Sequence, residues 1–163
     1  NIRLPLWSSA EACQETVREF LPYADLVKLS DEECFFVTGK HSILDAADWL
    51  FEQGCKMVLY SMGKEGAMIL TPHFSSHAEN PEVRVKDTTG AGDAIIGAYL
   101  YCLAKNHITV SQLATCSPEQ VQEWLTFAVY YANYSITKSG AIASYPDYTT
   151  FVKWMQEKRK KAH

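Results

Sequence analysis

Near the middle of the chain, Asp87-Thr88-Thr89-Gly90-Ala91-Gly92-Asp93 gathers two carboxylates, two hydroxyls and two glycines into one short segment. Glu82-Val83-Arg84-Val85 before it alternates like a strand, and an apolar helix is expected after it, from Gly92 to about Lys105. Glycine allows positive φ and close approach of a ligand to the backbone. A helix start presents N–H groups that have no intrahelical partner, at the positive end of the dipole. Gly90, Ala91, Gly92 and Asp93 can therefore form an anion hole for a phosphoryl group. Asp93 could take the proton of a hydroxyl attacking phosphorus. Phosphoryl transfer needs little more than positioning, charge stabilisation and one such base. A simple capped turn, in which Asp93 merely offsets the dipole, fits the spacing equally well. No Gly-Lys-Ser/Thr follows, so this is not a Walker loop, and Gly90, Gly92 and Gly97 do not keep the Rossmann spacing.

The surrounding elements alternate between strands and helices. Ser9 can cap a helix over residues 10–21, which Pro22 stops. Residues 24–30 read as a short buried strand. Ser30-x-x-Glu33 matches a capping box opening a brief helix over 31–37. Residues 43–53 form an amphipathic helix with Ala46, Ala47 and Leu50 on one face. Strands over 56–61 and 67–71 flank a turn bracketed by Gly63 and Gly66, as in a hairpin. Residues 72–81 read as polar and irregular, with His73 and His77 on the surface. In the helix over 118–137, Val121, Trp124, Leu125, Ala128, Tyr131, Ala132 and Ser135 make one buried stripe. A last helix over 147–160 is capped by Asp147. This order predicts an α/β fold of three layers, a mostly parallel sheet flanked by helices.

Composition narrows the function. The 163 residues carry a net charge of −4, and no basic stripe precedes the C-terminus, which argues against nucleic-acid binding. The run Lys158-Arg159-Lys160-Lys161 reads as a solvated helix end. The five cysteines, Cys13, Cys34, Cys55, Cys102 and Cys116, are scattered and contain no C-x-x-C pair. That argues against disulfides and zinc and fits a reducing, cytoplasmic setting. No apolar stretch is long enough to span a membrane. The chain opens without Met on Asn1-Ile2-Arg3-Leu4-Pro5-Leu6-Trp7, as an excised piece would.

The segment from Asp87 to Asp93, continued by Ala94, resembles residue for residue the second signature of the ribokinase-like (PfkB) carbohydrate kinases. The resemblance implies that Asp93 is the catalytic base and that the backbone of Gly90, Ala91, Gly92 and Asp93 holds the transferring phosphate of ATP, with Thr88 beside it. Ser30-x-x-Glu33 sits where the family has Asn-x-x-Glu, which implies that Glu33 organises water around Mg²⁺ and the phosphates. The serine is a departure from that pattern. Ser61-Met62-Gly63-Lys64-Glu65-Gly66 resembles the family's Thr-x-Gly-x-x-Gly turn by the nucleotide, although both glycines could simply close a hairpin. Residues 127–141 resemble the helix and loop flanking adenine, and Val129-Tyr130-Tyr131 departs from the family's usual residues there. Gly140 and Ser144, with Asp87 and Thr89, resemble the site at which many members hold a monovalent cation such as K⁺.

The opening segment resembles that of fructokinases, Asn-x-Arg-x-x-Leu-Trp, and 2-keto-3-deoxygluconate kinases have a similar one. Asn1 and Arg3 are therefore the residues expected to reach the sugar. A guanidinium suits a sugar-acid carboxylate, and a structural ion pair would explain Arg3 as well. The resemblance implies a fructokinase-like enzyme that takes ATP and a small sugar, and it allows a homodimer of the full-length protein. It covers all 163 residues but only the family's C-terminal portion, without the sugar-binding segment and lid. The isolated chain is accordingly expected to be inactive. The alternatives are a 2-keto-3-deoxygluconate kinase, or a non-catalytic remnant that binds nucleotide or metabolite.

Overall fold

The computed structural model describes residues 2–161. Four strands form one sheet in the order β1-β2-β3-β4: Leu26–Ser30, Met57–Ser61, Ala67–Leu70 and Ser75–Ala78. β1 and β2 run parallel, joined through two helices, while β2–β3 and β3–β4 pair antiparallel. Six α-helices accompany them among the described residues: α1 Ala10–Phe20, α2 Asp31–Thr38, α3 Ile43–Glu52, α4 Ala91–Lys105, α5 Pro118–Ser135 and α6 Tyr148–Lys161.

The helix starts follow the capping residues. Ser9, Ser30, Ser42 and Ser117 each accept a backbone N–H of the first turn. At α2 the box is reciprocal: the Glu33 N–H donates to Ser30 Oγ at 3.4 Å, and the Ser30 N–H donates to Glu33 Oε2 at 2.9 Å.

Strand alternation sorts side chains into two cores. Met57, Leu59, Ala67, Ile69 and Ala78 face α4 and α5, where Tyr99, Leu125 and Val129 are fully buried. Leu29, Val58 and Leu70 face the other way, onto Cys34, Val37, Ala46, Ala47 and Leu50 of α2 and α3. The result is a helix–sheet–helix sandwich, as expected for three layers. α6 packs on the far side of α5 through Phe151, Met155 and Tyr134. All five cysteines are free and buried, and burial pushes the thiols of Cys55 and Cys102 up to about 11 and about 12.

Two elements differ from the sequence expectation. Residues 75–78, read as irregular, form β4, with Ser76 and Ala78 buried and Ser75 and His77 exposed. Residues 82–85, read as a strand, form no strand and are not paired in the sheet. The backbone bonds that follow them run from Lys86 and Asp87 to the Ile136 carbonyl, at the end of α5. An alternating pattern makes a strand only where a neighbouring strand supplies a ladder.

Candidate active site

β1 and β2 both end beside the first turn of α4. Ser30, Ser61, Gly63, Gly66, Thr88, Ala91 and Gly92 line one cavity of about 990 Å³ there, with Lys28 on its wall. Ligands of open α/β sheets bind at this kind of place, outside the carboxyl ends of the strands. Val129, Ala132, Asn133 and Ile136 of α5 and its C-terminus close another side. The helix expected beside adenine thus borders the same cavity.

The glycine turn is built by its sequence. Gly90 is the residue before α4, at φ +78°. A Cβ there would stand 2.9 Å from both Ala141 Cβ and the Tyr145 hydroxyl, so only glycine fits. The backbone amides of Gly90, Ala91 and Gly92 stand at the start of α4, at the positive end of its dipole. The Ala91 N–H donates to the Thr88 carbonyl at 3.1 Å and closes the turn. The Asp93 side chain is exposed in that first turn. Burial first, and the Asp93 charge second, push the Tyr145 phenol up.

Asp87 ties the turn to the loop before α6. Its Oδ1 accepts the Thr89 N–H at 2.9 Å, and its Oδ2 accepts the Gly140 N–H at 2.8 Å. The Gly140 amide, and Thr89 after it, hold the Asp87 carboxyl down at about 2. The Tyr145 hydroxyl adds a second tie, donating to the Gly90 carbonyl at 3.0 Å. Asp87, Thr89 and Gly140 are therefore together. Ser144 is buried nearby in sequence, with its hydroxyl donating to the Ala141 carbonyl at 2.6 Å. An ionised carboxylate with hydroxyl and carbonyl oxygens is a hard donor set, which suits an alkali cation better than a transition metal.

Other expected residues fall less simply. Glu33 accepts the Ile2 N–H at 3.3 Å, the Ser30 N–H at 2.9 Å and the Lys28 ammonium at 3.4 Å. Burial works against ionisation, yet the Ser30 amide, Lys28 and the Ile2 amide keep the Glu33 carboxyl below its ordinary value. Arg3 is exposed, ahead of a short 3-10 turn at Leu4–Leu6. Asn1 lies outside the described residues. Lys28, Asn133 and Tyr145 were not singled out by sequence. Asn133 donates to Asn80 at 2.7 Å, and Asn80 donates to the Gly63 carbonyl at 2.8 Å, which links α5 to the hairpin turn. For Lys28 the available signal is a charge inside an otherwise apolar strand; Tyr145 offers none.

Comparison with known proteins identifies the family of the chain. The family model described as "pfkB family carbohydrate kinase" matches residues 1–148. The chain belongs to the PfkB family of carbohydrate kinases. It is 34% identical over 147 residues to a fructokinase-2 of Solanum habrochaites, covering 90% of this chain and 43% of that protein. A fructokinase double mutant from Vibrio cholerae O395, solved with fructose, ADP and potassium ion, superposes at a TM-score of 0.81 and 28% identity. That match covers 94% of this PfkB chain and 48% of the other. A fructokinase with bound ATP from Xylella fastidiosa gives a TM-score of 0.89 at 24% identity, over 98% of this chain and 51% of that one, and shows the shared fold. The chain thus spans about half the length of these relatives.

Proposed function

We propose that the protein carrying this chain is an ATP-dependent sugar kinase that phosphorylates fructose or a related sugar. The observation that carries the proposal is Asp93 in the first turn of α4, beside a cavity walled by Gly63, Thr88 and Gly92. ATP occupies the cavity, with adenine toward Val129 and Asn133 and the phosphates toward α4. The amides of Gly90, Gly92 and Asp93 stabilise charge on the transferring group, and Asp93 accepts the proton of the attacking hydroxyl. Phosphorus gains the bond to the sugar oxygen as it loses the bond to ADP.

Among the described residues no three His, Cys, Asp or Glu side chains converge as a metal cluster. Mg²⁺ in this reading arrives on the nucleotide phosphates, keeping several waters. A monovalent cation fits Asp87, Thr89, Gly140 and Ser144, and the potassium ion of the Vibrio protein supports that placement. It would neutralise charge beside the turn. The sugar-binding portion lies outside these residues, in keeping with the half-length coverage of the relatives. A coupled assay of ADP release by the intact protein tests the function. Turnover is expected with fructose and Mg-ATP; turnover with 2-keto-3-deoxygluconate alone would reassign the substrate, and none with any sugar would refute kinase activity.

A further inference from the structure

Lys28 stands in the middle of β1, between Val27 and Leu29, which turn toward the α2–α3 side. Its own side chain projects to the opposite face, toward α4. Only 15% of that side chain is exposed. A Cβ on Gly92 would lie 3.1 Å from its Nζ, so the missing side chain at Gly92 is what admits the ammonium. The placement is unfavourable for folding alone. A largely buried ammonium loses hydration, and the first turn of α4 is the positive end of a helix dipole. Glu33 offsets part of this, at 3.4 Å, and is itself fixed by the amides of Ser30 and Ile2. Two positive features side by side on the wall of one cavity are complementary to an anion held in it.

We propose that Lys28 is a catalytic residue which grips the β- and γ-phosphates of the nucleotide against the first turn of α4, while Glu33 holds the ammonium in place. The inference rests on the nucleotide half of the kinase reading. Lys28 acts as a charge clamp on the phosphates, beside the backbone amides of Gly92 and Asp93. A purely structural ion pair with Glu33 would serve the fold without regard to phosphate number.

Titration calorimetry on the intact protein with AMP, ADP and ATP separates the two. In Lys28→Met, ATP and ADP affinity should fall by roughly 10- to 100-fold, the scale of a charge-assisted hydrogen bond, with AMP nearly unchanged. Lys28→Arg should recover part of the loss. Equal weakening of all three nucleotides, no weakening, or no ATP affinity in the unsubstituted protein would overturn the assignment. Should Lys28→Met not fold, amine acetylation of the unsubstituted protein gives the answer. ATP but not AMP should slow labelling at Lys28 several-fold, and equal labelling with either would refute the clamp. ATP binding that depends on Lys28, without turnover of any sugar, would leave the clamp standing and remove the kinase function.

Discussion

The two glycine turns that border the cavity look alike in sequence and differ in what their glycines do. In the hairpin turn, Gly66 sits at φ +92°, and a Cβ there would be driven into the Ala78 carbonyl of β4. Gly63 has no atom within 4 Å of the same position and borders the cavity. In the turn before α4, Gly90 is packed against Ala141 and Tyr145, and Gly92 is packed against the Lys28 ammonium. In each turn one glycine, Gly66 or Gly90, is hemmed in by rigid neighbours that a Cβ would strike, and the other, Gly63 or Gly92, meets open space or the flexible end of Lys28. Glycine spacing alone does not distinguish them; the packing partners do.

The two turns should part most sharply at Gly66. Gly66→Ala combines overpacking with a backbone region that side chains avoid, and should destabilise the intact protein by roughly 2–5 kcal/mol. Urea unfolding midpoints would show it. A midpoint unchanged from the parent would mean that β4 is free to move away. Gly63→Ala should do the reverse. Its folding penalty should be about 1 kcal/mol, from the positive φ alone, while KM for ATP should rise about tenfold as a methyl enters the cavity, roughly 1.4 kcal/mol in binding. An unchanged KM would place the nucleotide elsewhere. Tyr145→Phe probes the other turn more gently. Loss of the bond to the Gly90 carbonyl should lower stability by about 1 kcal/mol, and kcat should fall more than KM rises. A change in KM alone would detach Tyr145 from the transfer step.

Much of this arrangement was legible in the sequence, for physical reasons that differ by element. Helix starts at Ser9 and Ser30 were readable because capping is a local interaction between residues three apart. The buried stripe of α5 was readable from its period, with Tyr131 less buried than the rest. β4 was not, because Ser75, Ser76, His77 and Ala78 alternate in burial without alternating in hydrophobicity. Residues 82–85 misled in the opposite sense: the pattern was present and the partner strand was not. At the site, the glycine turn was visible because its chemistry lies in consecutive residues. Lys28 and Tyr145 reach it from 64 and 52 residues away, counted from Gly92 to Lys28 and from Asp93 to Tyr145. The charge inside β1 is the local hint at Lys28, and the segment of Tyr145 holds none.

Asp93→Asn in the intact protein tests most directly whether Asp93 is the base of a phosphoryl transfer. Sugar-dependent ADP formation and ATP binding should be measured on the same preparation. Turnover should fall by about 10²- to 10⁴-fold, the usual contribution of a positioned base, with ATP affinity within a few-fold of the parent. Turnover near the parental rate would contradict the assignment and return Asp93 to the role of a helix-capping carboxylate.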